Sequence, residues 1–245
     1  MSDPIGESGL IHRALAGESL TRGEISRLLC LSGEEKQALF RAADTARKRY
    51  VGDEIFFRGI IEFSNICERD CLYCGLRKSN HRLGRYRMPE EEILATAQRI
   101  RDEGVGTVVL QSGEDPFYTA EKLSALVGRI REESGLIVTL SVGERSLADY
   151  QLFRKAGSSR YLLKYETASP DLYRRLRPGS FLADRLLCLK TLGELEYEVG
   201  TGNMVGLPGQ SLETLADDLL LMKDLQADML GIGPDRKSVV VGKSV

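Results

Sequence analysis

The chain contains no apolar run that approaches the roughly 20 residues a membrane-spanning helix needs. Its 245 residues carry a formal net charge of only −2, which argues against a general nucleic-acid partner. Secretory signal features are not found, and five cysteines are an odd number for a disulfide framework. We therefore expect a soluble globular protein of a reducing, cytoplasmic compartment, with neither a membrane nor a nucleic acid as partner.

Three of the five cysteines lie within eight residues and form a C-x₃-C-x₂-C run, Cys67, Cys71 and Cys74. Clusters of the [4Fe–4S] type usually have four cysteine ligands. Three thiolates from one segment would hold three corners and leave one iron without a protein ligand. An open metal position is where a substrate or cofactor binds. The spacing therefore predicts a [4Fe–4S] cluster with one open position, just after an apolar, β-branched run at 56–64.

Histidine is scarce, which limits the alternative interpretations of this run. The chain has only His12 and His81, and His81 lies seven residues past Cys74, so a Cys₃His zinc site is the main alternative. Such a site would define a zinc-binding interaction module in place of an enzyme. Cys30 and Cys188 lie in apolar, helix-like contexts, and we predict that both are buried packing thiols.

The order of the expected elements indicates a parallel α/β fold. Residues 1–50 have a helical pattern, with capping-box sequences at Thr21 with Glu24 and at Ser32 with Glu35. Beyond them, helical segments alternate with β-rich runs at 56–64, 106–112, 136–142, 160–166, 198–205 and 228–233. This alternation predicts a (β/α) TIM-type barrel with about six of the eight βα units of a complete barrel. The predicted divisions are a helical extension at 1–52, the barrel at 53–234 and an anomalous tail at 235–245.

Polar and glycine-containing segments follow the expected strands, at 67–74, 112–115, 141–144, 166–167 and 206–210. In a (β/α) barrel these segments lie at the C-terminal ends of the strands, where active sites are built. The sequence therefore predicts one site formed by several strand ends together.

Two basic groups lie near these segments. The first, at 77–87, is either a solvated loop balanced by the glutamates at 90–92 or an anion contact. The second consists of Arg174, Arg175 and Arg177 and is expected at the C-terminal end of a helix, where cations interact favourably with the helix dipole. We predict that this second group is structural and does not contact the substrate.

Taken together, these motifs resemble the radical S-adenosylmethionine (radical SAM) enzymes. The resemblance is carried by the cysteine run with Tyr73, by the turn at 112–115 and by the stretch at 204–210, and it extends over about 57–234. Among these enzymes the chain is most similar to the HydE family, which are maturases of [FeFe]-hydrogenase. Biotin synthase and methylornithine synthase share the fold and the cluster motif, but the sequence Gln111-Ser-Gly-Glu-Asp favours the HydE family.

The resemblance implies a chemistry and a set of cofactor contacts. A [4Fe–4S] cluster on the three cysteines would bind S-adenosylmethionine and cleave it reductively to a 5′-deoxyadenosyl radical, in assembly of the hydrogenase cofactor. Gly113 would let backbone groups approach the methionyl amine, Arg185 would pair with the cofactor carboxylate, and Ser141 would face the substrate. Glu166 would contact the sulfonium or the ribose. The residues implied at the cofactor are Tyr73, Gln111, Gly113, Glu114, Ser141, Glu166, Arg185, Val205 and Leu207.

Partners also follow from the resemblance. It implies a small-molecule or organometallic substrate and a one-electron donor of the ferredoxin or flavodoxin type. Other hydrogenase maturases would be further partners. No catalytic residue is assigned, because neither the cysteines nor the barrel pattern identifies the substrate.

The chain departs from the family pattern in two places. Lys164 stands where the family usually has arginine two positions before the glutamate, which keeps the charge and loses the planar guanidinium. The family continues past Pro234 with two more barrel units, whereas 235–245 matches nothing in it. We therefore expect a truncated or frame-shifted reading with an exposed edge strand and low stability, and an inactive fragment is an alternative.

Overall fold

The computed structural model describes residues 6–234 of the chain. These residues form two compact units, one of 6–56 with Gln210–Leu220 and the other of Phe57–Gly209 with 221–234. We call them the helical unit and the sheet unit. The tail predicted at 235–245 lies outside the described residues. None of the helices within 6–234 has the length and apolar composition that a bilayer crossing requires.

Within the described residues, the helical unit confirms the helices predicted before residue 50. They are α1 (Glu7–Leu15), α2 (Arg22–Leu29) and α3 (Gly33–Tyr50). Leu10, Ile11 and Leu28 form a buried apolar cluster, and partly buried side chains such as Leu39 pack against it. Helix α3 contributes no buried residue from its 18 positions. The unit therefore has a small core.

One of the two predicted capping boxes forms. The Thr21 hydroxyl accepts a hydrogen bond from the Glu24 amide (3.3 Å), and the Glu24 carboxylate accepts one from the Thr21 amide (2.7 Å). The prediction at Ser32 is wrong, because Ser32 precedes α3 but its side chain makes no capping hydrogen bond. The next residue, Gly33, has φ +54°, in the left-handed region, so the first turn does not present its amides to the serine hydroxyl.

The sheet unit is built on a six-stranded parallel sheet. In chain order the strands are β1 (Gly59–Ser64), β2 (Thr107–Ser112), β3 (Ile137–Ser141), β4 (Arg160–Leu162), β5 (Glu198–Thr201), β6 (Met204–Val205), β7 (Met229–Leu230) and β8 (Gly233–Pro234). The large sheet has the order β1-β2-β3-β4-β5-β7, while β6 and β8 pair with each other. Every pairing in both sheets is parallel, which confirms the predicted fold class.

Helices separate the strands of the sheet unit, as the alternating pattern predicts. They are α4 (Glu90–Asp102), α5 (Ala120–Ser134), α6 (Leu147–Ala156), α7 (Pro170–Leu176) and α8 (Leu182–Glu194), together with α9 (Leu212–Asp224), whose residues as far as Leu220 belong to the helical unit. Several predicted strands are too long. The run at 56–64 is a strand only from Gly59, and the run at 160–166 only as far as Leu162. The run at 198–205 is divided between β5 and β6, and the run at 228–233 between β7 and β8. The chain leaves regular pairing near Glu166, whose φ is +73°.

Alternate strand residues lie on opposite faces of the sheet. One row of neighbours in the strand register is at most 2% exposed and consists of Ile61, Leu110, Leu140 and Tyr161. The adjoining row on the other face consists of Glu62, Gln111 and Ser141, none of which is buried. An apolar core therefore lies on one face, while polar side chains line the other face near the C-terminal ends of the strands.

Candidate cluster and cofactor site

The loop that follows β1 carries the three cysteines, and we call residues 65–76 the cysteine loop. The amide of Glu68 donates a hydrogen bond to the carbonyl of Glu114, just after β2 (3.0 Å). The amide of Leu72 donates to the carbonyl of Leu176, the last residue of α7 (2.8 Å). Backbone hydrogen bonds from two separate elements therefore hold the loop over the C-terminal ends of the strands.

Cys67 lies in a half-buried position with two backbone amides directed at its sulfur. The amides of Arg69 and Glu114 both donate to Cys67 Sγ, each at 3.4 Å. Burial raises the pKa of the Cys67 thiol, and these two hydrogen bonds act in the opposite direction. Amide donors of this kind stabilise a thiolate, which is the form that binds iron.

The other two cysteines pack against an apolar cluster. This cluster consists of Tyr73, Leu172, Leu176, Met204 and Leu207. Burial raises the pKa of the Cys71 thiol to about 11, while the Arg177 guanidinium acts to lower it. An apolar shell limits solvent access, one of the factors that sets the potential of an iron–sulfur cluster.

Gly113 brings the turn after β2 against the cysteine loop. A Cβ atom at this position would overlap the Ile66 carbonyl oxygen and would lie 2.6 Å from Cys67 Cβ. Only glycine therefore permits this approach, which also sets the Glu114 amide at the Cys67 sulfur. The structure gives Gly113 a neighbour in the cysteine loop, and its approach to the methionyl amine stays a prediction.

The three thiols could serve either of the two metal groups that the sequence suggests, a zinc ion or a [4Fe–4S] cluster. Within 6–234, no three or more His, Cys, Asp or Glu side chains are grouped so that they could hold a single metal ion. His81 is exposed, and the four side chains of the zinc alternative do not form such a group. A [4Fe–4S] cluster differs, because each thiolate binds its own iron and the sulfurs need not converge. With its amide donors and apolar shell, the cysteine loop therefore fits the cluster better than the zinc ion.

Charged side chains that are buried or only partly exposed lie beside the cysteine loop, and we call Arg69, Glu114, Glu144, Arg177 and Arg185 the mouth charges. Arg69 Nε is 2.6 Å from Glu114 Oε2, and Arg185 Nε is 3.1 Å from Glu144 Oε1. Arg177 Nη2 lies 3.6 Å from Glu144 Oε1 and 3.9 Å from Glu114 Oε1. The three arginines and two glutamates therefore form one network around the loop.

Sequence reasoning did not identify Arg69, Glu144 and Arg177 as part of the site. The group at 174–177 does lie at the C-terminal end of α7, as predicted, and within it the Arg177 side chain is only 4% exposed and lies near the mouth charges Glu114 and Glu144. One signal was available. Arg177 lies four residues after Tyr173, which is 1% exposed, and residues four apart share a helix face.

Arg185 lies on α8 after β4, where the resemblance implies it. The residue is 4% exposed, and its Nε also lies 3.3 Å from the Tyr173 hydroxyl. Its guanidinium is thus held by Glu144 and Tyr173 within the protein. Its contact with a cofactor carboxylate stays a prediction. For that contact to form, the guanidinium would have to share its bond to Glu144 with the cofactor or give it up.

Glu166 adopts an unusual backbone conformation at the end of the β4 segment. Its φ of +73° is in the left-handed region, which costs a non-glycine residue about 1–3 kcal/mol and often occurs at functional sites. Its amide donates to the Gly202 carbonyl (3.0 Å), and its carbonyl accepts from the Met204 amide (2.8 Å). Lys164 Nζ lies 3.9 Å from Glu166 Oε2, so this lysine pairs with the carboxylate. That it stands in place of a family arginine stays a prediction.

The remaining predicted cofactor residues lie at two places. Gln111 and Ser141 are paired in the register of β2 and β3, and Gln111 Nε2 donates to Glu62 Oε1 (3.0 Å). Tyr73 and Leu207 are buried together in the apolar cluster beside the cysteines, while Val205 is half-buried in β6. The described structure brings the second group beside the cysteine loop. Their contacts with a cofactor stay predictions.

Asp115 and Glu114 do not converge as an acid–base pair. Asp115 is 1% exposed and accepts two hydrogen bonds from Arg87, Nε to Oδ2 (2.8 Å) and Nη2 to Oδ1 (2.9 Å). The Ser64 hydroxyl donates to the same carboxylate (2.6 Å). Arg85, in the same basic group, donates to main-chain carbonyls of the loop. Arg85 therefore supports the cysteine loop and Arg87 the turn after β2, which neither interpretation of this basic group anticipated.

An open cleft of about 460 Å³ lies beside the mouth charges. Its lining includes Arg69, Glu114, Glu144, Arg145 and Cys188. Cys188 is therefore only half-buried, and Cys30 is exposed at the C-terminal end of α2. The prediction of two buried packing thiols is wrong for Cys30, because the end of a short helix leaves its side chain in solvent. All five cysteines are free thiols.

Comparison with known proteins agrees with this geometry. A sequence profile of the Radical SAM superfamily matches residues 61–222. The [FeFe] hydrogenase maturase subunit HydE of Thermotoga maritima is 52% identical over 198 residues, which are 81% of this chain and 57% of that protein. The 3-methylornithine synthase of Methanosarcina acetivorans is 29% identical over 223 residues, or 90% of this chain and 63% of that protein.

A solved structure gives the same result for the fold. The crystal structure of methylornithine synthase (PylB) superposes with a TM-score of 0.87 at 29% identity, covering 96% of this chain and 71% of that chain. The chain belongs to the radical SAM superfamily, whose members use a [4Fe–4S] cluster and S-adenosylmethionine. Within that superfamily it is similar to HydE, and it spans less than two thirds of the length of the two curated relatives.

Proposed function

We propose that this chain is the cluster- and cofactor-binding part of a radical SAM enzyme that acts in assembly of the [FeFe]-hydrogenase cofactor. The carrying observation is the cysteine loop, held against Gly113 and Glu114 so that two amides point at Cys67 Sγ. The identity of 52% to HydE supports the assignment to hydrogenase maturation. When bound, the cluster and S-adenosylmethionine together supply a 5′-deoxyadenosyl radical.

In this proposal Cys67, Cys71 and Cys74 hold three irons of the cluster. The apolar cluster with Tyr73 and Leu207 keeps water from two of these thiols. The proposed cofactor contacts are Tyr73, Gln111, Gly113, Glu114, Ser141, Glu166, Arg185, Val205 and Leu207. The proposed division is the helical extension 1–52 and the barrel 53–234.

The proposed partners follow from this chemistry. The enzyme would act on a small-molecule or organometallic substrate, receive one electron from a ferredoxin- or flavodoxin-type donor and work with other hydrogenase maturases. A cytoplasmic, reducing compartment is supported by the five free thiols.

A second candidate is methylornithine synthase-like chemistry, which the TM-score of 0.87 to PylB favours. A biotin synthase-like reaction is less well supported, because it would need further cluster-binding cysteines on later strands. Cys188 is the single cysteine after Cys74, and it lines the open cleft.

Anaerobic reconstitution with iron and sulfide tests the proposed cofactor site. We expect about four irons per chain and an EPR signal of the reduced protein that changes when S-adenosylmethionine is added. Cys71→Ser should lose this signal, whereas Cys30→Ser, at an exposed thiol of the helical unit, should keep it. Zinc without acid-labile sulfide, or a cluster whose signal ignores the cofactor, would contradict the proposal.

A maturation assay separates the two candidate reactions. The chain would be added to an in vitro [FeFe]-hydrogenase maturation mixture that lacks HydE. Recovery of hydrogenase activity supports the maturase function. Cofactor cleavage without any recovery, together with formation of 3-methylornithine, would support the second candidate instead.

A further inference from the structure

The C-terminal end of α7 is attached to the cysteine loop. The carbonyl of Leu176 accepts the hydrogen bond from the Leu72 amide (2.8 Å), between two of the cysteines. The Leu176 side chain is 9% exposed in the apolar cluster against which Cys71 and Cys74 pack. The next residue of the chain, Arg177, is therefore fixed directly beside the loop.

The Arg177 side chain is buried without a full set of hydrogen-bond partners. Its amide caps α7 by donating to the Tyr173 carbonyl (2.8 Å), and its guanidinium carbon lies 5.2 Å from the centroid of the Tyr173 ring. The side chain is 4% exposed. Its Nη2 is 3.6 Å or more from the carboxylates of Glu114 and Glu144, which is too far for a hydrogen bond. Its Nε has no hydrogen-bond partner among the described residues.

A guanidinium in this position carries a large desolvation cost. Arginine stays protonated in proteins, so it cannot avoid the cost by losing its proton. A buried charge is tolerated when opposite charge lies close to it. The carboxylates of Glu114 and Glu144 supply opposite charge near Arg177, but neither lies within hydrogen-bond distance of its Nη2. Negative charge on a cluster bound by the adjacent cysteine loop would therefore compensate this cation further.

We propose that Arg177 is a positioning residue whose fixed positive charge stabilises the reduced form of a cluster bound by the cysteine loop. The inference rests on the proposed function, because it requires a [4Fe–4S] cluster on the three cysteines. Reduction adds one electron, supplied by the one-electron donor, and so adds one negative charge beside the guanidinium. Net charge near the cluster is one of the factors that sets its reduction potential. Arg177 therefore raises the midpoint potential of the cluster.

The test is an EPR-monitored redox titration of the reconstituted wild-type chain and three variants. Arg177→Gln should lower the equilibrium constant for reduction at least tenfold, which for one electron is a midpoint about 59 mV more negative. Arg177→Lys keeps the charge and should stay close to wild type. Arg174→Gln is the matched control, because Arg174 lies on the same helix with its side chain 67% exposed, and it should leave the midpoint unchanged.

An unchanged midpoint in a fully loaded Arg177→Gln variant would overturn the inference. If that variant does not take up iron, the midpoint of Glu144→Gln is compared with that of the double variant Glu144→Gln/Arg177→Gln. Removing both opposite charges leaves less uncompensated buried charge than removing Arg177 alone. A more negative midpoint in the double variant supports the inference, and an equal one overturns it. If neither neutral variant takes up iron, loading of Arg177→Lys supports the role of the charge, and its failure to load overturns it. Failure of the wild-type chain to bind any cluster would instead reject the proposed function.

Discussion

The helical unit and the mouth of the sheet unit use charged residues in opposite ways. In the helical unit, Arg13 pairs with Glu24 and Arg27 with Glu7, and these four side chains are 20–39% exposed. At the mouth of the sheet, Arg177, Arg185 and Asp115 are at most 4% exposed. Both regions contain networks of opposite charge, but only the second buries some of its charges almost completely, although Arg69 at its edge stays 35% exposed.

This difference in exposure matters because exposed and buried ion pairs contribute to stability in different ways. Exposed ion pairs contribute roughly 0–1 kcal/mol at most, because water and salt screen them and the side chains lose freedom. Buried ion pairs often contribute no more than an apolar replacement would, since desolvation offsets their attraction. The apolar face of the sheet therefore stabilises the fold, while the mouth charges are better explained by the proposed site.

The largest expected losses of stability come from cavities in the two cores, and they test whether the core of the sheet unit is more rigid than that of the helical unit. Leu110 and Leu10 are both 0% exposed, but Leu110 lies in the centre of the sheet and Leu10 in a small cluster with partly buried neighbours. We expect Leu110→Ala to lower the free energy of unfolding by roughly 4–5 kcal/mol and Leu10→Ala by roughly 2–3 kcal/mol, because a small cluster collapses more readily around a cavity. Urea denaturation followed by circular dichroism measures both. Equal losses would show that the two cores are equally rigid.

The next effect concerns the most deeply buried carboxylate of the mouth, Asp115. Asp115→Asn weakens the hydrogen bonds from Arg87 and Ser64, and we expect a loss of about 1.5–3 kcal/mol at neutral pH. Burial raises the pKa of Asp115, but Arg87 and Ser64 lower it by more, so that the folded pKa lies below the unfolded one. The contribution is then fully present above the unfolded pKa of about 3.9 and is lost as the pH falls through the folded pKa.

Chemical denaturation of the wild type and Asp115→Asn from pH 7 to pH 3 checks this prediction. The difference in stability between them should narrow below about pH 4. Asp171→Asn is the control, because the Asp171 side chain is 89% exposed in its pair with Arg174, and this change should have little effect at any pH. A difference for Asp115→Asn that stays constant over the whole range would mean that the charge of this carboxylate does not matter.

A smaller effect on stability, but a direct effect on the site, is expected at Gly113. Gly113→Ala inserts a Cβ against the Ile66 carbonyl and Cys67 Cβ, and we expect a loss of roughly 1–3 kcal/mol together with reduced iron uptake. Gly128→Ala is the matched control in α5, where a Cβ meets nothing within 4 Å. That change should raise stability by about 0.5–1 kcal/mol and leave iron uptake unchanged. Full iron uptake by Gly113→Ala would show that the turn can move away without harm to the cysteine loop.

The sequence was sufficient for the features that are local in the chain. The strands were recognisable because β-branched and apolar runs lie between turn residues, and the cysteine run was recognisable by its spacing. The ends of β4 and β5 were not, because the segments that follow these strands contact each other around Glu166, whose left-handed conformation a glutamate seldom adopts. That conformation is fixed by backbone hydrogen bonds to Gly202 and Met204, which are far away in sequence.

The partners of the mouth charges could not be predicted for the same reason. Arg69, Glu114, Glu144 and Arg177 come from four separate segments, and nothing within any one segment indicates the others. The arginines after α7 have the composition of an ordinary basic helix end. Their separation into exposed Arg174 and buried Arg177 depends on the attachment of α7 to the cysteine loop, which is a tertiary contact.

The smallest expected change in stability concerns the helical unit, where Thr21 and Ser32 precede helices in sequence motifs of the same kind. Thr21→Ala removes a formed capping bond to the Glu24 amide and should lower the free energy of unfolding by about 1 kcal/mol. Ser32→Ala removes a side chain that makes no capping bond, because Gly33 begins α3 in a left-handed conformation, and should change stability by less than about 0.5 kcal/mol. Thermal melting of both variants against wild type gives the comparison. Equal losses would mean that the Ser32 hydroxyl caps α3 in solution and that the two sequence motifs are equivalent after all.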